Sequence, residues 1–563
     1  MRFAIVAVLC AVALAPAAEP VDPLALMPRE AGFVLKVEKP RTLIESYTKL
    51  DAYGNLKQFP QVREVLESTN VRRFFQLVAH LEKETGQKWP DLIDRIAGDG
   101  IAIGIAVGTD PAPALLIVQG TDEECVAKTY DLVLAGIIDG GKTAARTGTI
   151  GKVKTTHVGD DFHTARVGKT LYFANKEAAL KAGLKRPTGV VADVASLKAA
   201  RKLVGPDAVA WAWLDLAKVK ESQASKDFFE ASRKDILQTL VIGSSVDAAR
   251  RANFLAAGLY RTDAGFTLSI RLPAKRADLD DAMSLHVPKA GNLGSKPLLV
   301  PEGVIASQSF YLDLGHIWKN RATMVNDEVR PQIEAFDKEI SRVLPGTSFG
   351  ELLAQMGPHH RLVMAHTGEK LYARTSEFPV PPVAYIASMR DRSFAKTMDG
   401  ILRGGAFLAG FQTGWAMKEE TVEGTKIVSY RFPEAGEPKF DDPQNLRFNA
   451  VPSFAAVGDS LVVASSPGLV KRLIPLLKNE IATEGSPSVW RASAFAAGAG
   501  LTLAANPEPT ITQTILQQGI GLAEARAQVA AIAKWLPTLG AMNLRMNHDP
   551  DVYKFDFDWT FGK

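Results

Sequence analysis

Cysteine is the scarcest residue type in the sequence, which contains only Cys10 and Cys125 among 563 residues. Cys10 lies in an N-terminal apolar run that we predict is removed, so one thiol remains. A single thiol cannot form an internal disulfide, and the fold must therefore be stabilised by packing. Cys125 comes at the start of a predicted helix with no histidine nearby in sequence, and we interpret it as a small core residue.

The sequence also has no long block of charge. Its 66 basic and 62 acidic residues give a net charge of +4, and no run of five or more like charges occurs, so a nucleic-acid partner is not indicated. After residue 17 there is no uninterrupted apolar run of about 18 residues, and we predict no transmembrane segment in the mature chain. A composition of 46% hydrophobic and 23% charged residues is typical of a globular protein.

Recognisable catalytic motifs are missing as well. The sequence contains no G-x-S-x-G, no H-E-x-x-H and no Walker loop. Gly98, Gly100 and Gly104 imitate a nucleotide fingerprint, but they enter an alternating strand pattern instead of lying between a strand and a helix. We therefore predict no catalytic, cofactor-binding or metal-binding residues and no cofactor.

Residues 1–17 have the pattern of a secretory signal peptide. Arg2 precedes an apolar run from Phe3 to Leu14, and Ala15-Pro16-Ala17 matches an A-x-A cleavage site. A run of about a dozen apolar residues is shorter than the ~20 that cross a bilayer. We predict cleavage after Ala17 and export to the periplasm or the extracellular medium.

Two stretches of the sequence resemble each other, residues 167–184 (VGKTLYFANKEAALKAGL) and 457–474 (VGDSLVVASSPGLVKRLI). Each begins with Val-Gly, continues through apolar residues to Ala174 or Ala464, and then shows helical spacing. A turn, strand and helix that recur in this order indicate a duplicated structural unit.

Other landmarks recur in the same order along the chain. Residues 127–129 and 395–397 are both Ala-Lys-Thr, and each half ends in a predicted hairpin. The length also exceeds the ~250–300 residues at which single cores stop growing. We predict two related halves, 18–272 and 299–563, joined by a linker at 273–298.

The strand patterns favour an α+β fold. Predicted strands such as the one with Phe33, Leu35 and Val37 alternate apolar and other residues, and they come in adjacent pairs instead of singly between helices. We therefore predict two tandem related halves, each an antiparallel sheet with helices packed on one face. Helical spacing across residues 325–343 is interrupted by Pro331, which we expect to kink the helix or split it in two.

These landmarks resemble a family of large secreted bacterial proteins classed only as a domain of unknown function. The resemblance rests on the Leu-x-Pro sequences at residues 26–28 and 299–301, the helix after a proline-led strand, and the Val-Gly stretches at 167–184 and 457–474. It covers most of the mature chain and implies an internal duplication. The family has no assigned activity, so the resemblance implies no site residue.

Two carboxylates and an imidazole lie within four residues at Asp160, Asp161 and His163. Such a group could hold a cation or form an acid–base pair. Gly159 precedes the two acids, however, and a Gly-Asp-Asp tight turn between strands explains the pattern without a function.

The densest histidine group is His359, His360 and His366. Adjacent residues of an extended strand point to opposite faces, so at most one of the first two could share a site with His366. We interpret these histidines as structural. Trp211 and Trp213 share one face of a predicted strand and could stack a sugar or peptide, but a buried core position is the favoured interpretation.

Taken together, these patterns favour an exported, non-catalytic binding or scaffold protein of the periplasm or cell envelope, with an unidentified protein or envelope component as its partner. The alternative is a hydrolase whose site is assembled from residues distant in sequence, with Asp160, Asp161 and His163 as candidates. A proline-rich insertion at residues 433–443 has no counterpart in the first half. With Phe440, Asp441 and Asp442 it is a candidate binding loop.

Overall fold

The computed structural model describes most of the chain beyond the predicted signal peptide, which lies outside the described residues. The described residues are 21–48, 54, 66–108, 111–140, 145–186, 189–221, 225–228, 236–279, 285–289, 291–324, 327–344, 346–435, 440–480 and 488–562. Their contacts group them into two compact units. The first takes residues from 21–48, 66–219 and 256–259, and the second takes residue 54 and those from 220–255 and 260–562.

The first unit consists of short strands and helices. Its strands are β1 (Phe33–Val37), β2 (Gly100–Ile105), β3 (Ala114–Gln119), β4 (Ala145–Ile150), β5 (Val153–Val158), β6 (Phe162–Val167), β7 (Thr170–Ala174) and β8 (Ala210–Asp215). Its helices are α1 (Pro40–Thr48), α2 (Thr69–Thr85), α3 (Asp91–Ala97), α4 (Glu123–Gly140), α5 (Glu177–Lys185), α6 (Ala195–Val204) and α7 (Leu216–Lys220), the last of which ends at the unit boundary.

The second unit begins with α8 (Ile236–Arg251) and β9 (Phe254–Thr262), a strand whose central residues are grouped with the first unit. The other strands are β10 (Gly265–Leu272), β11 (Val304–Tyr311), β12 (Met356–Ala365), β13 (Val383–Met389), β14 (Ala416–Val422), β15 (Thr425–Arg431), β16 (Ser453–Val457), β17 (Ser460–Ala464), β18 (Ser488–Phe495), β19 (Ala541–His548) and β20 (Tyr553–Thr560). The other helices are α9 (Leu314–Met324), α10 (Arg330–Val343), α11 (Phe349–Gln355), α12 (Ser393–Thr413), α13 (Pro467–Lys478), α14 (Ala496–Ala505), α15 (Glu508–Gln518) and α16 (Leu522–Trp535).

Both units have antiparallel sheets with the same order of strands. In the first unit the pairing runs β8–β1–β2–β3–β7–β6–β5–β4. In the second it runs β18–β11–β12–β13–β17–β16–β15–β14, and β19, β20 and β10 extend the sheet beyond β18. The two similar sequence stretches form β7 with α5 and β17 with α13, which occupy equivalent positions in these orders. The α+β class predicted from the sequence is confirmed.

Helix α13 illustrates how local sequence positions a helix on the sheet. Ser466 accepts a hydrogen bond from the Leu469 amide at the N-terminus, and Pro467 follows at the first helical position, where proline costs no hydrogen bond. Four apolar side chains on one face of the helix are fully buried and pack on the sheet: Leu469, Val470, Leu473 and Ile474. The equivalent α5 lies close to β3, because Gly183 has no Cβ, which would lie 2.6 Å from a Leu115 methyl carbon.

Helices cover both faces of the second unit's sheet at β13 and β17. Val462 packs with α13, whereas its neighbour Val463 packs with Ile401 and Leu402 of α12. Because successive strand residues point to opposite faces, α12 forms a second helical layer that the sequence analysis did not expect. The helical pattern around Pro331 is split in two, since α10 begins at Arg330 with this proline in its first turn.

Candidate functional site

Six strands at one end of the second unit's sheet, β10, β20, β19, β18, β11 and β12, have two faces of opposite chemistry. The register places Leu544 beside Ala492 and Phe557, and it places Arg545 beside Arg491 and Asp556. Because side chains alternate between faces along each strand, each row of neighbours belongs to one face. One face is therefore apolar and the other polar over the same backbone.

We call the first of these the apolar face. Its side chains alternate along the six strands and are apolar except for Gln308: Phe266, Leu268, Ile270, Phe555, Phe557, Trp559, Met542, Leu544, Met546, Trp490, Ala492, Ala494, Ala306, Gln308, Phe310, Leu362 and Met364. The same rows end on four buried residues, Leu272, Tyr553, His548 and His360.

The apolar face is the more exposed of the two. All of its side chains are half-buried or exposed, and Leu268, Leu362 and Met542 each retain 37% of their accessible surface. On the polar face, by contrast, Ser309 and Arg361 are 0% and 2% exposed. Arg545 of the polar face remains exposed, so the usual burial of apolar residues is reversed over part of the sheet. A contiguous apolar patch left accessible on a folded protein marks an interaction surface.

A shallow cavity of about 450 Å³ lies on this face. Ala306, Leu362, Met542, Leu544 and Phe557 contribute to its lining. The volume falls within the ~300–1,000 Å³ typical of small-molecule sites. Its apolar walls can contact a hydrocarbon chain, and they offer no titratable group for acid–base chemistry.

The polar face is an internally bonded network. Arg361 Nη2 lies 2.7 Å from Glu480 Oε2, and Arg271 Nη1 lies 2.7 Å from Asp556 Oδ1. The Thr267 hydroxyl donates to Asp558 at 2.6 Å. Buried charges are tolerated when they are paired in this way, so the network accounts for these charged groups without a ligand. Within the described part of the chain, Ser307 Oγ, Ser309 Oγ and Arg361 Nη1 have no hydrogen-bond partner.

The first unit has a similar apolar face on β8, β1, β2 and β3. The register groups alternate residues of these strands, and those pointing away from α5 are apolar and half-buried: Phe33, Leu35, Val37, Ile101, Ile103, Ile105, Leu116, Val118, Ala212 and Leu214. The residues between them, such as Val34 and Ala102, are fully buried. A partly accessible apolar face is thus common to both units.

His360 lies at the end of the second unit's apolar face. Its ring stacks on Phe310 with centroids 5.3 Å apart, and its ring nitrogens lie 2.7 Å from the Tyr385 hydroxyl and 2.9 Å from the Leu312 carbonyl oxygen. Burial lowers the pKa of His360 and raises the pKa of Tyr385 to about 12. Both groups are therefore uncharged at neutral pH, which is consistent with the apolar surroundings.

The histidines at 359, 360 and 366 are not brought into one site. His359 points to the face opposite His360, against Tyr311, as adjacent strand residues should. His366 lies beyond the end of β12 and lines a different cavity together with Glu369. Within the described part of the chain, no group of three or more His, Cys, Asp or Glu side chains could hold a metal ion.

Asp160, Asp161 and His163 are near in sequence but have different surroundings. Asp160 is 95% exposed at its side chain and lies near Arg146, and Asp161 is exposed in the turn between β5 and β6. His163 is buried, with its Nδ1 2.7 Å from His157 Nδ1 and its Nε2 3.0 Å from the Asp160 carbonyl oxygen. The imidazole therefore contacts backbone and another histidine instead of the carboxylates.

The two tryptophans of β8 and Cys125 are core residues. Trp213 and Trp211 are 0% and 2% exposed, and the Trp211 ring nitrogen donates to Glu38 at 2.8 Å. Cys125 packs with Leu81 and Leu92, and burial raises the pKa of its thiol.

The insertion at residues 433–443 is partly described, since residues 436–439 lie outside the described part. Asp442 forms an ion pair with Arg447 at 2.6 Å, and each of these side chains is 5% exposed. Phe440 lies 6.2 Å from Phe432 between ring centroids, whereas Asp441 is exposed. Asp442 and Phe440 thus anchor the loop, and its role in binding stays a prediction.

The apolar face was not identified from the sequence, although its signal is present there. Strands β18, β19 and β20 read SVWRASAF, AMNLRMNH and YKFDFDWT, and each alternates apolar with polar or charged residues. Alternation predicts that one face is apolar, and that face is ordinarily assigned to the core. Only the packing reveals that here it is exposed.

The comparisons with known proteins add little to this description. No family model matches the chain, and no curated protein matches it. Crystal forms I and III of TP0453 are 8% and 10% identical to it, cover 48% and 49% of this chain and 88% and 89% of their own, and give TM-scores of 0.24 and 0.25. Scores this low carry no argument. In the described residues, no helix is long and apolar enough to span a bilayer.

Proposed function

We propose that this chain is an exported, non-catalytic binding protein of the bacterial envelope that takes the hydrocarbon part of a lipid on the apolar face. One observation carries the proposal: across six strands the apolar side chains are half-buried or exposed, whereas five side chains of the opposite face are buried, namely Ser269, Ser307, Ser309, Arg361 and Ser493. The predicted signal peptide supports it, because export would bring the protein to a compartment bordered by lipid.

Burial of the apolar face supplies the free energy for binding. Each 100 Å² of apolar surface removed from water contributes about 2.5 kcal/mol. Leu544, Phe557 and Met542 belong to strands that are hydrogen-bonded to a neighbouring strand on each side. Little conformational entropy is therefore lost when a ligand covers their side chains. A pre-formed surface of this kind favours binding.

The chemistry of the face selects the occupant. It carries no charged side chain. Its side-chain hydrogen-bonding groups are the Gln308 amide and the indole N–H groups of Trp490 and Trp559, of which Trp559 already donates to the Leu539 carbonyl oxygen. A polar peptide would leave its backbone groups unsatisfied there, at a cost of about 1–3 kcal/mol each. An acyl chain has no such groups, and we therefore assign the face to a hydrocarbon chain.

We also infer that the two units arose by duplication and that the protein belongs with large secreted bacterial proteins of unassigned function. The shared strand order and the equivalent positions of β7 with α5 and β17 with α13 support the duplication. The half-buried apolar face in each unit is consistent with a binding role inherited by both copies. Superposition of the two units in an experimental structure would test the duplication, which fails if these elements occupy different positions.

The binding proposal is tested with a fluorescent acyl chain and a pair of variants. Met542→Lys places a charge on the apolar face, whereas Leu516→Lys places the same charge on α15, at a leucine that is 80% exposed and lies outside this face and its cavity. Because a buried charge without a partner is costly, we expect Met542→Lys to weaken binding by roughly tenfold or more. Leu516→Lys should bind as the unmodified protein does.

Circular dichroism and thermal unfolding of both variants establish that they fold. If a folded Met542→Lys variant and the unmodified protein have equal affinity for the acyl chain, the acyl chain does not bind on the apolar face. Native mass spectrometry of the protein purified from its own envelope extends the test, since a co-purifying lipid should be lost from Met542→Lys and kept by Leu516→Lys.

A further inference from the structure

A second apolar cavity, of about 630 Å³, lies among the helices between β18 and β19. It is formed by α14, α15 and α16, away from the strands that form the apolar face. Ala497, Leu501 and Ala504 line it from α14, at spacings that share one helix face. Ala530 and Val529 line it from α16, and Ile511 lines it from α15.

Small side chains keep this helical groove open. Ala497, Ala504 and Ala530 leave space that larger residues would fill, while buried Ile511 and Val529 form its floor. The helices are closest near Gly500, where a Cβ would lie 3.0 Å from the Ala533 carbonyl oxygen and 3.3 Å from Pro537. The groove is therefore narrow at this point and lined by apolar atoms along its length.

Charged side chains lie at the edge of the groove. Arg526, Lys534 and Glu508 all contribute to its lining. Arg526 lies 3.5 Å from Glu508, and both side chains are more than half exposed. Lys534 has no ion-pair partner among the residues that the structure describes. With two cations and one carboxylate, the edge carries a net positive charge.

We propose that the groove is a binding site for a single-chain amphiphile with an anionic head group, a carboxylate or a phosphate. The apolar walls take the chain, and Lys534 with Arg526 faces the head group. Charge complementarity selects this occupant, because a lysine at the edge of an apolar groove attracts an anion, and charge-assisted hydrogen bonds are stronger than neutral ones. This site is distinct from the apolar face, which has no charged side chain to bind a head group. The proposal for the groove does not depend on the function proposed for that face.

The test compares dodecanoate, dodecyl phosphate and dodecanol, measured by calorimetry against the full chain below the concentration at which micelles form. Ala530→Trp fills the groove, whereas Ala531→Trp adds the same side chain at a neighbouring exposed position that does not line it. We expect Ala530→Trp to weaken binding of both anions by about tenfold or more, and Ala531→Trp to leave it unchanged.

Lys534→Glu separates the contribution of the head group to binding from that of the hydrocarbon chain. It should weaken the binding of dodecanoate and dodecyl phosphate at least about threefold relative to the binding of dodecanol. Because Lys534 is exposed, the substitution should not prevent folding. Anionic vesicles are tested as well. If the protein binds these vesicles but does not bind the monomeric anions, it recognises a membrane surface instead of a single amphiphile, and the proposal is overturned.

Two other outcomes would also overturn it. The first is equal binding of dodecanoate by Ala530→Trp, Lys534→Glu and the unmodified protein. The second is that Met542→Lys loses dodecanoate binding while Ala530→Trp keeps it. That result would place the hydrocarbon chain of dodecanoate on the apolar face. The opposite result is also informative. If Met542→Lys does not affect the binding of neutral hydrocarbon chains while Ala530→Trp abolishes the binding of anions, the groove is supported and the function proposed for the apolar face is wrong.

Discussion

The two faces of strands β10, β20, β19, β18, β11 and β12 share a backbone and differ in what they contribute. Leu362 and Arg361 are neighbours on β12, yet the leucine is 37% exposed and the arginine 2%. The buried arginine is held by Glu480, so the polar face contributes to a specific structure. The exposed leucine contributes little to stability and is free to contact a ligand. Under the proposed function, stability and binding are assigned to opposite faces of one sheet.

Placing charges inside has a cost that apolar residues would not have. Burying a charge is unfavourable unless a partner offsets its lost hydration, and the Arg361–Glu480 and Arg271–Asp556 contacts supply such partners. Because each charge depends on its partner, the polar face should be sensitive to single substitutions. The apolar face should tolerate them.

The largest expected effect compares these two neighbours directly. Arg361→Ala leaves Glu480 without this partner, and removal of one member of a buried pair costs about 3–5 kcal/mol of unfolding free energy. Leu362→Ala should change it by less than about 1 kcal/mol. Urea denaturation of both variants measures the difference. A larger loss in Leu362→Ala would mean that the apolar face belongs to the core.

The second effect is a loss of stability in acid from the polar face. Burial first, and then the nearby Lys296 charge, lower the pKa of His359 from 6.5 to about 4. Between these two pKa values His359 is neutral in the folded state and protonated in the unfolded state. Its contribution to the free energy of unfolding is therefore complete above pH 6.5 and is lost as the pH falls toward 4. The slope is at most about 1.4 kcal/mol per pH unit.

Thermal unfolding between pH 7 and pH 4.5 measures this slope. His359→Gln should lose less stability on acidification than the unmodified protein, whatever its stability at pH 7. Part of the slope should remain, because burial also lowers the pKa values of His286 and His548 to about 4. An unchanged slope in His359→Gln would show that this part of the polar face is accessible to water.

The third effect extends the comparison to the first unit. If each unit binds one acyl chain on its apolar face, Ile103→Lys should reduce the number bound per protein from two to one when the helical groove is filled by Ala530→Trp, and Met542→Lys should do the same. With both lysine substitutions in that background, no acyl chain should bind. Native mass spectrometry counts the bound chains. Retention of both chains in Ile103→Lys would restrict binding to the second unit.

The smallest effect is expected outside both faces. The Asp160 side chain is 95% exposed, so Asp160→Ala should alter neither unfolding nor acyl-chain binding. The same variant, combined with His163→Ala, serves as the control in a screen of ester, glycoside and peptide substrates. Hydrolysis by the unmodified protein that this double variant lacks would revive the hydrolase alternative.

Much of the fold follows from local sequence patterns. Alternation at Phe33, Leu35 and Val37 corresponds to β1, and Pro331 divides two helices because its ring cannot sit in a helix interior. The repeated stretches at residues 167–184 and 457–474 form equivalent elements. The candidate site was harder to predict, because the residues that form it come from strands between β10 and β20, almost 300 residues apart.

The sequence by itself determined which residues form strands and helices, and that one face of each strand near the C-terminus is apolar, because propensity and side-chain alternation are local properties. Which face became buried was decided by tertiary structure. Glu480 pairs with Arg361 of the polar side, and Lys296 pairs with Glu480, so these contacts join chain segments far apart in sequence. Such packing of distant segments, which no local pattern encodes, buries part of the polar side and leaves the apolar side half-buried or exposed.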